Sequence, residues 1–357
     1  MERIKRAIIR IAVTPDNRLS DLPLTHRSLL PLLSFASSLF RLSLSLRRAL
    51  YHYRLLSPHR LPVPVISVGN ITWGGTGKTP MVEYISRFFD QAGILPLILT
   101  RGYEGGDEAK MLQRHLFGTS AKIGLGKNRA EVAASIIKKF GHSNLLSLSV
   151  GEKPEVHSET DKVGIVHWSL FRQVEIVMIN GLVPWGNGHL IPRGPLREPL
   201  NALNRADIIV IHHSNLVSEE QLKSIESKIL TICSKALSVF FSELVPSHFF
   251  EIKDPNEKLP LNTVHDFVVL CVSAIGCPDS FIKAITEIGA LHIHRLDFSD
   301  HHAVQSDDIK LIKDKVRNLA SVYNNQAIII VTEKDYDRDP VVLQKLCEFK
   351  VFIKKIK

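Results

Sequence analysis

The segment Gly69-Asn70-Ile71-Thr72-Trp73-Gly74-Gly75-Thr76-Gly77-Lys78-Thr79-Pro80 most narrows what this chain can fold into. It lies between a short apolar, β-branched run, Pro64 to Gly69, and a stretch in which Met81, Val82, Ile85, Phe88 and Phe89 recur at helical spacing. Strand, glycine loop, Gly-Lys-Thr and helix are the parts of a Walker A phosphate site. Glycines let backbone N–H groups face phosphate oxygens, and the helix N-terminus adds partial positive charge. Gly74, Gly75, Thr76, Gly77, Lys78 and Thr79 are therefore the expected nucleotide contacts. Lys78 would reach the β- and γ-phosphates, and Thr79 would ligate Mg²⁺. Pro80 suits a helix start, where no N–H partner is needed. The pattern wants glycine at position 72, where this chain has Thr72; Gly74 and Gly75 supply the freedom instead. Trp73 stands where partitioning-type switch ATPases carry a lysine, which argues against that class. Guanine-specificity signals of the Asn-Lys-x-Asp kind are absent from the sequence.

Further apolar runs at Pro96–Thr100, Val163–Val166, Val174–Ile179, Asp207–Ile211, Phe267–Val272 and Ala327–Thr332 alternate with helical stretches. That alternation indicates a mostly parallel sheet. The polar stretch Ser143–Lys162 reads as a loop, and a break near Cys233–Pro246 separates two α/β units. The expected fold is α/β: a P-loop NTPase-type, mostly parallel sheet with helices on both faces, plus a smaller C-terminal α/β unit. An N-terminal membrane-associating helical segment precedes it. The expected divisions are 1–61 for that segment, 62–236 for the nucleotide-binding domain and 237–357 for the C-terminal domain.

The chain carries 45 basic against 36 acidic residues, a formal charge of +9, which allows nucleic acid, an anionic membrane surface or a phosphorylated substrate as partner. No nucleic-acid recognition motif and no basic–aromatic interleaving is present, so nucleic acid is not expected. Cys233, Cys271, Cys277 and Cys347 form no CxxC pair and read as reduced core thiols. Much of the basicity sits at the start, in Arg3, Lys5, Arg6 and Arg10, followed by a Leu/Ser-rich stretch from Leu29 to Leu50. The uncharged part between Arg27 and Arg41 is 13 residues long, whereas a spanning helix needs about 20. The segment reads as amphipathic, lying in the membrane interface with arginines facing phosphates. A helical hairpin packed on the protein is the plainer alternative. The basic start also suits an organelle transit peptide, although Asp16 and Asp21 argue against one.

Several blocks together resemble one family, the tetraacyldisaccharide 4'-kinases of lipid A synthesis, with wording nearest the plant members. They are Val68-Gly69-Asn70 through Pro80, Thr100-Arg101-Gly102-Tyr103, Gly106-Asp107-Glu108, Trp185-Gly186-Asn187-Gly188, Pro192 through Pro199, Phe298-Ser299-Asp300-His301 and Val331-Thr332-Glu333-Lys334-Asp335. The resemblance implies ATP- and Mg²⁺-dependent phosphorylation of the 4'-hydroxyl of a membrane-held, acylated glucosamine disaccharide 1-phosphate. It implies Asp107 as the catalytic carboxylate, paired with His301. It also implies Glu198 in the Mg²⁺ sphere beside Thr79 and Arg197 on phosphate. A carboxylate suits hard Mg²⁺, and an arginine fork suits phosphate. Arg101, Lys127 and Arg129 are candidate contacts to the substrate phosphate. Lys334 and Asp335 are candidates to line the nucleotide pocket. His212 and His213 lack further metal ligands and read as structural. The plant-like wording and the basic start imply membrane association in mitochondria.

One family feature is missing. The family carries Asp-Asp-Gly-x-Gln-His after a buried strand, and those aspartates hold Mg²⁺. Here Val163-Gly164-Ile165-Val166 runs directly into His167-Trp168-Ser169-Leu170. Asp161 precedes the strand and cannot replace a ligand at its C-terminal end. An in-frame loss, from splicing or gene modelling, is the expected cause. The second expectation is thus a nucleotide-binding member of the same family with impaired catalysis.

Overall fold

The computed structural model describes residues 2–101, 106–140, 145–150, 170–324 and 326–356. In chain order the elements are α1 (Glu2–Val13), α2 (Leu24–Arg27), α3 (Leu30–His52), β1 (Val65–Asn70), α4 (Lys78–Gln91), β2 (Leu95–Thr100), α5 (Asp107–His115), β3 (Lys122–Leu125), α6 (Arg129–Phe140) and β4 (Leu145–Val150). Then follow β5 (Val174–Asn180), β6 (Ile208–His212), α7 (Glu219–Ile232), β7 (Ser238–Ser242), β8 (Pro246–Glu251), β9 (Asp254–Leu259) and β10 (Val268–Ser273). The last are α8 (Pro278–Ile288), β11 (His292–Asp297), α9 (Ser306–Val322), β12 (Ala327–Thr332), α10 (Glu333–Arg338), α11 (Pro340–Leu343) and β13 (Val351–Ile356).

The chain divides into two compact units. The first comprises residues 1–101 and 118–242; the second comprises 102–117 and 243–357. The first unit holds a seven-stranded, wholly parallel sheet in the order β3-β2-β4-β1-β5-β6-β7. Its inner strands are Val/Ile/Leu-rich because both faces are covered. Ile71, Val177, Ile179, Leu196, Leu203, Ile209, Ile211, Ile225 and Ile229 form one core with Trp185. Val63, Leu97, Leu99, Ala133 and Ile137 form another.

Two differences from the sequence reading stand out here. Part of the expected 143–162 loop is β4, which sits between β1 and β2, pairing Val68 with Val150 and Leu99 with Ser149. The serines of Leu-Leu-Ser-Leu-Ser-Val hid it, because the six residues are too polar to read as a buried strand. The expected strand Val163–Val166 lies outside the described residues. The N-terminal segment, secondly, groups with the first unit. On α3, Leu44 is buried among Ile71, Val177 and Trp185, and the Ser37 hydroxyl donates to the Leu190 carbonyl at 2.8 Å. Ile11 of α1 packs with Leu22 and Leu33. Removing residues 1–61 would therefore uncover core side chains of the nucleotide unit. Each such residue contributes about 1.5–3 kcal/mol by burial.

The second unit holds a six-stranded mixed sheet in the order β11-β10-β12-β13-β8-β9, with β8 and β9 antiparallel. Alternate residues of a strand face opposite sides. Leu270, Val272, Ile329 and Val331 accordingly meet Ile309, Ile312 and Val316 of α9 on one face. Val269, Cys271, Ile328 and Ile330 meet Phe281 and Ile285 of α8 on the other. Residues 102–117 belong to this unit although the sequence places them within 62–236. The reason is electrostatic as well as apolar. Arg114 on α5 binds Asp337 through Nε at 2.8 Å and Glu333 through Nη2 at 2.6 Å, both on α10.

Candidate functional site

In the first unit the phosphate loop leaves β1 at Asn70 and ends at Gly77, the residue capping α4. Gly77 sits at φ +78°, in the left-handed region that glycine alone adopts freely. Three side chains brace the loop from below. Asn70 Nδ2 donates to the Thr72 carbonyl at 2.6 Å and to Thr76 Oγ1 at 3.1 Å. Asn180, closing β5, donates through Nδ2 to the Gly75 carbonyl at 3.0 Å. His212, closing β6, lays its ring against Gly77, and a Cβ there would stand 2.4 Å from His212 Cδ2. His212 is buried and its Nδ1 lies 2.9 Å from Ser242 Oγ. Burial holds its pKa down at about 4, so the ring stays neutral around pH 7. The sequence marks His212 only as structural; its place directly after an apolar strand run was the signal on offer, whereas its contact with Gly77 follows from strand order.

Gly77→Ala is expected to destabilise the loop strongly. The left-handed backbone alone costs an L-residue about 1–2 kcal/mol, and the new methyl overlaps the His212 ring. Urea unfolding should show the loss, and adding His212→Ala should recover the overlap part only. Equal stability of Gly77→Ala and the parent chain would contradict this packing.

The segment after the cis peptide Ile191–Pro192 runs alongside the loop. Trp73 N–H donates to the Pro195 carbonyl at 3.0 Å and Arg197 N–H to the Ile71 carbonyl at 2.8 Å. Arg197 and Glu198 are thereby held next to the strand–loop junction. Glu198 is fully buried: Oε2 accepts from Arg205 Nη1 at 2.9 Å, while Oε1 has no hydrogen-bond partner. Burial, reinforced by neighbouring Glu175 and opposed by Arg205, pushes the Glu198 carboxyl up to about 8. Glu175 in turn accepts from Arg172 and, at 3.4 Å, from Arg205 Nε. An orphan carboxylate oxygen in a buried, proton-retaining site fits a divalent cation, which would displace the proton. Thr79 is buried at the start of α4. Mg²⁺ commonly takes one or two protein oxygens and completes its shell with phosphate and water. Thr79 and Glu198 are the donors the sequence reading offers for it, and among the described residues no group of three or more His, Cys, Asp or Glu could hold a metal.

Arg101, Lys127 and Arg129 follow the C-terminal ends of β2 and β3, which pair Thr100 with Leu125. In a parallel sheet those ends share an edge with the β1 loop. Lys127 is exposed, Arg101 half-buried and Arg129 buried. Arg129 is therefore placed to support that edge more than to reach across it.

The second unit assembles the other cluster. Asp107 opens α5 after Gly106 and is 1% exposed. Its Oδ2 accepts from His301 Nδ1 at 3.0 Å and from Arg338 Nη2 at 3.0 Å, and Oδ1 accepts the Glu108 N–H at 2.8 Å. Burial favours the neutral acid, but the His301 hydrogen bond, the Lys334 charge and Arg338 overcome it and hold Asp107 down at about 2. The hydrogen bond to Asp107 raises the His301 pKa against burial and the Lys334 charge. With Nδ1–H on the carboxylate, the His301 Nε2 lone pair accepts from Lys334 Nζ at 3.2 Å, a donor that a substrate hydroxyl would have to displace. This is a carboxylate held ionised at neutral pH that orients an imidazole, suited to proton acceptance from a hydroxyl.

Lys334 and Asp335, read from sequence as nucleotide-pocket candidates, hydrogen-bond within this cluster. Lys334 Nζ also reaches Asp300 Oδ1 at 3.3 Å. Asp335 is buried, accepting from Thr332 Oγ1 at 2.6 Å and from Arg338 Nη1 at 2.7 Å. Arg338 went unread in the sequence. It joins Asp107, Asp335 and the carbonyls of Ala274 and His302, and so fixes the carboxylate to which His301 is bonded. Its signal was local: Arg338 follows Asp335 by three residues, one helical turn.

Beneath this pair, Glu333 Oε1 accepts from Arg114 at 2.6 Å, His115 Nε2 at 2.9 Å and Lys355 Nζ at 2.8 Å. These donors, led against burial by the His115 hydrogen bond, hold Glu333 down at about 2. Its folded pKa lies below the ordinary 4.5, so its stabilisation is present above that pH and is lost as pH falls through about 2. Glu333→Ala is expected to cost about 3 kcal/mol, the low end for breaking a buried pair, since Arg114 and Lys355 keep some solvent. Urea melts should show that loss at pH 7 and a shallower acid dependence. An unchanged midpoint would show that the cluster stabilises nothing.

A sequence model of the family described as Tetraacyldisaccharide-1-P 4'-kinase matches residues 29–354. A protein of Arabidopsis thaliana named "Probable tetraacyldisaccharide 4'-kinase, mitochondrial" is 48% identical over 364 residues, covering 99% of this chain and 91% of its own length. The tetraacyldisaccharide 4'-kinase of Halothermothrix orenii is 34% identical, covering 87% of this chain and 84% of its own. Among solved structures, LpxK from Aquifex aeolicus, described as an "apo" form in complex with ATP, aligns with a TM-score of 0.56 at 20% identity over 93% of each chain. That likeness shows the shared P-loop kinase fold.

Proposed function

Since this chain belongs to the tetraacyldisaccharide 4'-kinase family, we propose that its chemistry is transfer of the ATP γ-phosphate to the 4'-hydroxyl of an acylated glucosamine disaccharide 1-phosphate. The observation that carries the reading is the Asp107–His301 pair, brought together from 194 positions apart and buttressed by Arg338 and Lys334. Phosphoryl transfer asks for positioning and charge neutralisation more than covalent chemistry. Lys78 and the loop N–H groups bind and orient the ATP phosphates. Thr79 and Glu198 would hold Mg²⁺, which when bound would neutralise phosphate charge. Arg197, with Arg101 and Lys127, offers guanidinium and ammonium groups to phosphate oxygens. His301, oriented by Asp107, accepts the hydroxyl proton at Nε2. Incubation with ATP, Mg²⁺ and the acylated disaccharide 1-phosphate tests this: labelled phosphate should appear on the lipid, and transfer surviving in Asp107→Asn His301→Ala would remove the pair from the reaction.

Membrane association is part of the same reading. Residues Leu24–His52 are long and apolar enough to cross a membrane by composition, with 11% buried. Arg27, Arg41, Arg47 and Arg48 and the buried Leu44 favour a segment lying in the interface. The Arabidopsis relative's name and the basic start support a mitochondrial setting. Impaired catalysis is the second reading. Its support is the missing Asp-Asp-Gly sequence and an alignment whose 364 positions exceed this chain's 357 residues, so this chain lacks residues that the plant relative has.

A further inference from the structure

The imidazole of the second unit is capped on the nitrogen that faces away from Asp107. Lys334, the second residue of α10, places Nζ 3.2 Å from His301 Nε2. That ammonium is shared: it also reaches Asp300 Oδ1 at 3.3 Å, and Asp300 Oδ2 stands 3.8 Å from the same imidazole nitrogen. Lys334 and Asp300 keep 19% and 33% of their side-chain surface exposed, so a ligand can approach this triangle from outside. Asp107 behind it keeps 2%. The ring is held in place on its other side. Nδ1 is bonded to Asp107 at 3.0 Å, and the His301 N–H donates to the Ala274 carbonyl at 3.2 Å. The backbone of His301 sits at φ +60°, in the left-handed region, an outlier of the kind that clusters at functional sites. The next residue turns elsewhere: His302 Nε2 lies 2.8 Å from Asp308 Oδ2 and its ring stacks on Phe298.

The charged groups around His301 are thus Asp107 from α5, Lys334 and Arg338 from α10, and Asp300 from its own loop. The hydrogen bond to Asp107 raises the ring's pKa, Asp300 adds to the rise, and burial and the Lys334 charge oppose it. A base that has already taken a proton from water cannot take one from a hydroxyl. A cation in contact with the ring disfavours that protonation, and an N–H···N bond occupies the lone pair without filling it. We propose that Lys334 is a positioning residue for the proton acceptor: its ammonium caps His301 Nε2 until an acceptor hydroxyl takes its place, and stays bound to Asp300 meanwhile. The inference rests on the reading of His301 as the group that takes the hydroxyl proton. The exchange replaces one hydrogen bond at Nε2 by another, so its net cost is small. The O–H bond then breaks as N–H forms at Nε2 and the hydroxyl oxygen bonds to phosphorus. The imidazolium loses its proton to water before Lys334 caps the nitrogen again.

NMR titration of the histidine Cε1–H signals in the full chain tests the cap without needing turnover; the His301 signal is the one absent from His301→Gln. Lys334→Met should raise the His301 midpoint above the parent's, because the opposing cation is gone. Lys334→Arg keeps a cationic donor and should bring the midpoint back toward the parent's. Lys310→Met removes an exposed lysine of α9 and should leave it in place. Asp300→Asn should lower the midpoint, since a carboxylate that favours the imidazolium is lost; this variant reads the same triangle if Lys334→Met does not fold. A midpoint unchanged or lowered in Lys334→Met, or raised equally by Lys310→Met, overturns the cap, as does a midpoint unchanged or raised in Asp300→Asn. Phosphate transfer that survives in Asp107→Asn His301→Ala removes the acceptor reading itself, and this role with it, whatever the midpoints show.

Discussion

Inserting Ile-Leu-Asp-Asp-Gly-Met-Gln between Val166 and His167 is expected to raise phosphate transfer by at least about 100-fold. Losing a partner one shell out from a metal commonly costs 10–100-fold, and here the family's own metal carboxylates are missing. The insertion site lies outside the described residues. Strand β4 pairs with β1 on the side away from β5, and its last residues are Ser149 and Val150. On the proposed reading Glu198 and Thr79 would carry the protein's share of the metal, and Glu198 Oε2 is committed to Arg205. Transfer rates of the parent and repaired chains, compared with ATP and Mg²⁺ affinities by calorimetry, decide the matter. Equal rates would mean that Glu198, Thr79 and water suffice.

Lys78→Ala in the repaired chain should lower turnover by about 100- to 1,000-fold, the usual loss on removing one preorganised donor from developing charge. In the parent chain the same change should weaken ATP binding, which needs no turnover to observe. Lys78 is the first residue of α4, directly after the left-handed Gly77, and the other loop side chains, Thr72, Trp73, Thr76 and Thr79, carry no charge. Unchanged affinity and unchanged turnover together would remove the kinase reading.

How much of this could be read beforehand follows from burial. Strands covered on both faces announce themselves as apolar runs, so Val65–Asn70, Leu95–Thr100, Val268–Ser273 and Ala327–Thr332 were legible to within a residue or so. The polar hairpin β8–β9, with Asp254–Leu259 largely exposed, was not. Nor was β4, where position in the sheet outweighs two serines. The phosphate loop was legible because its chemistry is local. The membership of α5 was not, because it depends on ion pairs between residues 219 and 223 positions apart. Arg338 and His212 fall between. Each lies beside a motif that was read, but its partner is set by strand order, which a sequence pattern does not state.

The affiliation of residues 102–117 has a consequence for synthesis on the ribosome. Asp107 leaves the exit tunnel early, yet the groups that anchor its helix come last: Glu333, Asp337 and finally Lys355, which lies 240 positions beyond His115. At roughly 5–20 residues per second, the nascent α5 waits on the order of ten seconds or more for its partners. Throughout that interval the phosphate-binding sheet can already close around the gap, since the flanking residues 101 and 118 both belong to the first unit. The nucleotide half of the machinery is thus complete before the carboxylate that would direct the proton is fully anchored, and a chain truncated between β7 and β13 would carry the first without all the anchors of the second.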